Sequence, residues 1–231
     1  MAKETIVAVL SGDLVKSKGL EEKRQGVMDH LRQAVEGART HLAKKNCRLL
    51  FSGFYRGDAF QCALSDPRFS LWTAIFLRTE LIKLRGKLVS ADIRFGLGLG
   101  PVSVWDENNI SASDGEAFRL SGKALDELKS GKEKYRRLRI LSPWPEQDRV
   151  LSVLAALIDA LIQGWTSAQA EAVSLYVREN GQDEISKELG ISQPAVQIRL
   201  ERAGHFAVKE TLDIFSGMVE EHIIRPSIYN P

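Results

Sequence analysis

Apolar residues recur along this chain in two rhythms up to about residue 141, and in only one after it. Ile6 to Leu10 is an unbroken run rich in β-branched residues and bounded by Ser11-Gly12-Asp13, which predicts a buried strand. From Leu20 to Lys45, Val27, Leu31, Val35, Ala38 and Leu42 return at spacings of three and four, the mark of an amphipathic helix. Arg48 to Tyr55 and Ala59 to Leu64 flank Arg56-Gly57-Asp58, where glycine permits the reversal of a hairpin. Asp66-Pro67 caps and starts a helix to about Arg85, with Leu71, Ile75, Leu81 and Leu84 inward. From Ala91 to Val104, Ile93, Phe95, Leu97 and Leu99 alternate with Arg94, Gly96, Gly98 and Gly100, so this strand has one nearly bare face and something must pack close to it. A helix over about Asp114 to Lys129 and a strand over Arg137 to Leu141 complete the order β-α-β-β-α-β-α-β. That order contains the ferredoxin-like split-βαβ unit and predicts an α+β fold.

Ser142-Pro143-Trp144-Pro145-Glu146-Gln147 breaks the periodicity, because two prolines cannot continue a helix or a central strand. The expected organisation is a sheet domain over 1–142, a linker and apolar helix over 143–164, and an all-α domain over 165–231. Val150 to Ile162 is too apolar for a helix with only one buried face, which predicts an interdomain or dimer helix and hence a homodimer. Four helical segments follow, at about Ser167–Glu179, Gln182–Leu189, Gln193–Ala203 and His205–Ile224.

Composition narrows the chemistry. In 231 residues, 44% hydrophobic and 27% charged positions describe an ordinary globular chain, and a net charge of +2 is too small to grip nucleic acid by bulk electrostatics. Cys47 and Cys62 lack metal or redox spacing, and none of the four histidines has a ligand-spaced partner, so no zinc, haem or flavin is expected. No stretch reads as a signal peptide or a bilayer span, so a cytoplasmic protein without a membrane partner is expected.

Gln182 to Leu200 has the spacing of a helix-turn-helix. Ser186 sits at the expected helix crossing, Gly190 takes the sharp turn, Ile185, Leu189, Ile191, Val196 and Leu200 form a core, and Ser192 caps the second helix. It resembles the helix-turn-helix of sigma-factor and LuxR-type regulators over about Ser167 to Ala203. That resemblance implies a major-groove helix with Ser192, Gln193, Gln197, Arg199 and Arg202 as DNA contacts, glutamine pairing with adenine and arginine with guanine or phosphate. The other reading is a helical hairpin used for packing. From Trp165 onward six basic residues face ten acidic ones, so any DNA contact has to be local, dimeric and salt-sensitive.

In a split-βαβ sheet the third strand lies between the first two and antiparallel to both, so Asp13 should meet Asp58. Two converging carboxylates repel unless a cation such as Mg²⁺, with nucleotide phosphates, neutralises them; alternatively each aspartate merely caps a turn. Ser11-Gly12-Asp13-Leu14-Val15-Lys16-Ser17, Gly57-Asp58-Ala59-Phe60-Gln61, Arg94 to Gly100, and Asp114-Gly115-Glu116-Ala117-Phe118 with Ala124-Leu125 together resemble the SatD family over about residues 5–140. A C-terminal helix-turn-helix is also that family's arrangement. Through it the chain is similar, more remotely, to nucleotidyl-cyclase and GGDEF domains, which implies a palm-like fold with Asp13 and Asp58 as metal ligands and Gly12 and Gly57 at the nucleotide. The cyclase asparagine and arginine fall on Arg119 and Lys123, which keep positive charge for phosphate but depart from cyclase chemistry; they also read as a solvated helix face. Ala59 replaces an acid that often follows Gly-Asp.

Three functions remain open at this point. The first is a DNA-binding transcriptional regulator whose cyclase-like domain senses a nucleotide or metal-nucleotide. The second is a Mg²⁺-dependent cyclase or related phosphoryl-transfer enzyme, with catalytic residues unknown. The third is a non-enzymatic protein-interaction module.

Overall fold

The computed structural model describes residues 5–15, 20–55, 59–86, 91–106, 110–130 and 135–224. The fold is α+β, with strands β1 (Ile6–Val15), β2 (Leu49–Tyr55), β3 (Ala59–Leu64), β4 (Asp92–Val104), β5 (Asp114–Gly115) and β6 (Leu138–Leu141). The helices are α1 (Leu20–Ala43), α2 (Ser70–Ile82), α3 (Glu116–Ser130), α4 (Pro145–Gln163), α5 (Ser167–Tyr176), α6 (Gln182–Leu189), α7 (Gln193–Arg202) and α8 (His205–Met218), the last continued by a π-helical turn over Val219–Ile224. No helix among the described residues is long and apolar enough to cross a membrane.

β3 lies between β2 and β1 and is antiparallel to both, and β1 is antiparallel to β4. The chain then crosses over through α3 to β6, which pairs with β4 in parallel, while the two-residue β5 pairs with the far end of β4. β1 does not stop at Ser11-Gly12-Asp13 as its composition suggested. It continues to Val15, because both neighbours extend beside it and pair Gly12 and Asp13 in register. Pro145 likewise opens α4 rather than closing a linker, since proline in a first helical turn gives up no hydrogen bond.

Period-two alternation divides the sheet into two faces. Ala8, Leu10, Leu14, Phe60, Cys62, Ile93, Phe95 and Leu97 are buried with α1, α2 and α4 in one cluster. The other face carries Val7, Val9, Ala63 and the bare side of β4, with α3 laid upon it. A Cβ at Gly98 would come within 2.2 Å of the Ala117 carbonyl oxygen, and one at Gly96 within 2.3 Å of the Leu125 nitrogen, so α3 rests directly on the strand backbone.

The first buried cluster does not end at residue 141. It runs without a break from Ala8 through Leu151, Trp165, Val173, Ile185, Leu200 and Phe215. Specific bonds cross the same boundary: the Trp72 indole N–H donates to the Val177 carbonyl at 2.7 Å, Ser167 Oγ to that of Lys83 at 2.8 Å, and Arg85 to that of Trp165 at 3.0 Å. Buried Glu80 on α2 accepts from Ser174 on α5 and Lys83, with His30 of α1 beside it. Burial alone would raise its pKa, but His30, Lys83 and Ser174 together outweigh that and hold it at about 2.

Two outcomes follow for urea unfolding. Gly98→Ala costs about 1–3 kcal/mol because neither backbone can move aside, whereas Gly122→Ala, with nothing within 4 Å of the added Cβ, gains up to about 1 kcal/mol of helix propensity. Glu80 stabilises the fold fully above its unfolded value near 4.5, and that contribution is lost as pH falls toward 2. Glu80→Gln is therefore most destabilising at neutral pH, with the gap to wild type closing across that acid window.

Candidate functional site

At the end of β1, Asp13 stands opposite Arg94 on β4 and Ala59 on β3, on the face that carries α3. The carboxylate is 7% exposed. Arg94 donates to both its oxygens, Nε to Oδ1 at 3.1 Å and Nη2 to Oδ2 at 3.3 Å, and Lys129 Nζ from the last turn of α3 stands 3.1 Å from Oδ2. Two residues earlier a chain of donors runs across the same face. Ser121 gives its proton to the Phe118 carbonyl, so Ser11 donates to Ser121 at 2.9 Å and in turn accepts from Gln61 at 3.1 Å. The site is therefore one buried carboxylate with two cations, beside a short polar chain in which each hydroxyl is used.

The other sequence-derived residues are placed apart from this group. Gly12 faces the opposite side of the sheet, where a Cβ would lie 2.7 Å from the Phe60 ring, so its missing side chain serves packing. Arg119 is exposed and pairs with Asp114 at 3.5 Å, and Lys123 is exposed with Asp148 in its electrostatic surroundings. At 1.5 Å per residue they lie about 15 and 9 Å back along α3 from Lys129, which takes the position expected of them. Gly57 and Asp58 lie outside the described residues, so the meeting of the two aspartates does too.

Among the described residues no group of three or more histidine, cysteine or acidic side chains converges as a metal would require. Asp13 is also compensated already by Arg94 and Lys129, so the described part of the site does not fit a divalent cation. An anion fits better, because the three charges sum to a net positive one. The cysteines add no nucleophile: burial pushes the Cys47 thiol up to about 11 and the Cys62 thiol higher still. Arg94 was legible in principle, since it shares a face with the β4 glycines and opposes Asp13; Lys129 was not, because only the direction of α3 brings it there.

In the helical half, Thr166 accepts from the Gln169 amide while the Gln169 side chain accepts from that of Thr166, a reciprocal cap that starts α5. Gly181 opens α6 with its amide donating to Glu184 at 2.9 Å. α6 ends at Gly190 in the left-handed region, φ 63°, which reverses the chain within two residues and lets the Ile191 amide return to the Ser186 carbonyl at 3.1 Å. Ile185, Val196 and Leu200 are fully buried, with Leu189 and Ile191 packed against them. Ser192 holds the N-cap position of α7, but its side chain makes no capping bond, so it does not cap as its position suggested.

The outer side of α7 carries Gln193, Gln197, Ile198, Glu201 and Arg202. Gln197 donates to Glu201 at 2.8 Å, and Arg199 turns back toward Glu171 of α5 at 3.4 Å. Of the five residues predicted on this surface, Ser192, Gln193, Gln197 and Arg202 face solvent and Arg199 is half-buried.

The SatD family profile matches residues 6–209, from β1 into α8. Among curated proteins nothing matches.

Asp13→Asn leaves Arg94 and Lys129 facing one another without their counter-charge, at an expected cost of about 1–3 kcal/mol in urea unfolding at pH 7. Excess inorganic phosphate recovers part of that loss in the variant. A variant as stable as wild type contradicts this reading of the pair.

Proposed function

The chain belongs to the SatD family, and from that premise we propose that it is a DNA-binding transcriptional regulator, with α6 and α7 as a helix-turn-helix and the sheet half as a ferredoxin-like, palm-type sensor domain. The observation that carries this reading is the tight left-handed turn at Gly190 between two short helices that share one buried core, leaving the far side of α7 exposed. On that side Gln193 and Gln197 offer the two-pronged amides that match adenine, and Arg202 a guanidinium for guanine or phosphate. Arg199 has a positioning part here, bracing α7 against α5 through Glu171.

The acidic balance of residues 165–231 makes a single copy a weak binder. A homodimer answers this by doubling the contacted surface. Val150, Val153 and Leu157 are 47, 58 and 66% exposed along one side of α4 and supply the apolar seam for it.

For the sheet half we infer a nucleotide held through its phosphates by Arg94 and Lys129, with Asp13 as the bridging counter-charge that holds the two cations in place. Mg²⁺ belongs to this reading only through Asp58, which lies outside the described residues. A cyclase-type reaction draws no support from a carboxylate already spent on two cations, so the sensor reading stands ahead of the enzymatic one.

Selection of duplexes from a random pool by the full chain at low salt tests the DNA reading. A preferred sequence is expected, with affinity falling steeply as salt rises. Arg202→Ala and Gln197→Ala each weaken binding to it by about 1–3 kcal/mol in anisotropy titrations. Retention of no duplex at low salt sinks the proposal and leaves α6–α7 as a packing hairpin.

A further inference from the structure

A cavity of about 480 Å³ lies away from both surfaces discussed so far, at the place where the sheet half meets the helical tail. Its walls come from three directions. Phe69 and Trp72 come from the N-cap and first turn of α2, Tyr176 and Val177 from the last residue and C-cap of α5, and Val208 and Leu212 from one side of α8. Its size is within the range of small-molecule pockets, roughly 300–1,000 Å³.

The walls are held rigidly. The Trp72 ring is stacked between His41, 4.7 Å away, and Phe76, 5.1 Å away, and its N–H is used on the Val177 carbonyl. Tyr176 stands edge-on to His205 with ring centres 5.0 Å apart. Asn180 is pinned by its amide to the Leu175 carbonyl at 2.8 Å. Collapse of the cavity would have to break these contacts.

The charges around it are already matched. Arg68 is held by Asp66 at 2.6 Å and Glu220 at 2.9 Å, Lys209 by Asp213 at 2.5 Å, and Glu179 by Lys45 at 2.7 Å. Two cations and two anions line the cavity, so its net charge is zero and an ionic ligand gains nothing that these pairs would not lose. Besides these pairs the lining is mostly apolar, with Tyr176, Asn180 and Ser216 as its uncharged polar residues.

We propose that this cavity is a binding site for an uncharged, largely apolar small molecule, distinct from the nucleotide and DNA surfaces. Its occupant would touch the Tyr176–Gly181 segment that leads into α6, together with α2 and α8, and so brace the junction between the two halves.

The test is a fluorescence titration of the full chain with N-phenyl-1-naphthylamine, an uncharged apolar probe, beside its sulfonated relative 1-anilinonaphthalene-8-sulfonate. The expected result is one saturable site per chain for the neutral probe, with the sulfonate weaker by about tenfold or more. Leu212→Trp fills the cavity and should weaken the neutral probe by about tenfold or more, while far-UV circular dichroism confirms that the variant is folded. If Leu212→Trp does not fold, Ser216→Phe is read in the same way. Absence of saturation, equal affinity for the sulfonate, or unchanged binding in a folded variant overturns the proposal, the last by placing the probe elsewhere, such as on the exposed side of α4. DNA is absent throughout, so failure here and failure of the regulator reading are separate results.

Discussion

Arg78 is the contact on which the arrangement of this molecule turns. It projects from α2 with 1% of its side chain exposed and holds Asp92 at the start of β4 through two bonds of 3.2 and 3.1 Å, and Asp159 on α4 through one of 2.8 Å. Burial alone would lower the pKa of the guanidinium, but Asp92 and Asp159 outweigh it and raise it; the same guanidinium holds the Asp92 pKa down against its own burial. Asp159 also accepts from the Arg137 and Leu138 amides at the start of β6 and from Gln163, so one buried cation fixes α2, β4, β6 and α4 relative to one another. A buried pair of this kind adds little net stability over an apolar replacement, but losing one partner strands a charge and costs several kcal/mol. Its contribution is to geometry. With α4 anchored at Asp159, the helices that follow start from a fixed point on the sheet.

The sheet-end site depends on a second constraint, the bare face of β4. Glycines at 96 and 98 let α3 approach to backbone contact, and that approach brings Lys129 to Asp13 and Ser121 to Ser11. A side chain at either glycine would lift α3 and separate the cations that make the proposed phosphate site. The two constraints meet on β4, whose first residue is tied to Arg78 and whose third is Arg94. The strand that carries Arg94 is therefore the same one that Arg78 ties to Asp159 of α4.

Much of this was legible in the residues. Alternation in β4 foretold a close-packed glycine face, the place of β3 between β1 and β2 followed from the order of the first three strands, and Gly190 marked its turn, because each is a local rule of period, connection or backbone freedom. The site was legible only in part. Asp13 lies at the sheet end as its position implied, but its partners are 81 and 116 residues away, and contacts at that range depend on register and helix direction rather than composition. Gly12 reads as a phosphate-loop glycine beside Asp13, yet the two-residue period of a strand puts neighbours on opposite faces, and β1 runs further than its apolar segment because its neighbours do. The Pro143-Pro145 break reads as a domain boundary, whereas the buried core passes straight through it. Proline reports backbone conformation and carries no information about which surfaces are buried together.

Because sheet and helical tail share one continuous buried core, they should unfold as one cooperative body. Differential scanning calorimetry of the full chain tests it most directly. A single transition whose calorimetric and van't Hoff enthalpies agree is the expected result. Two separable transitions, with the helical tail melting apart from the sheet, would contradict it.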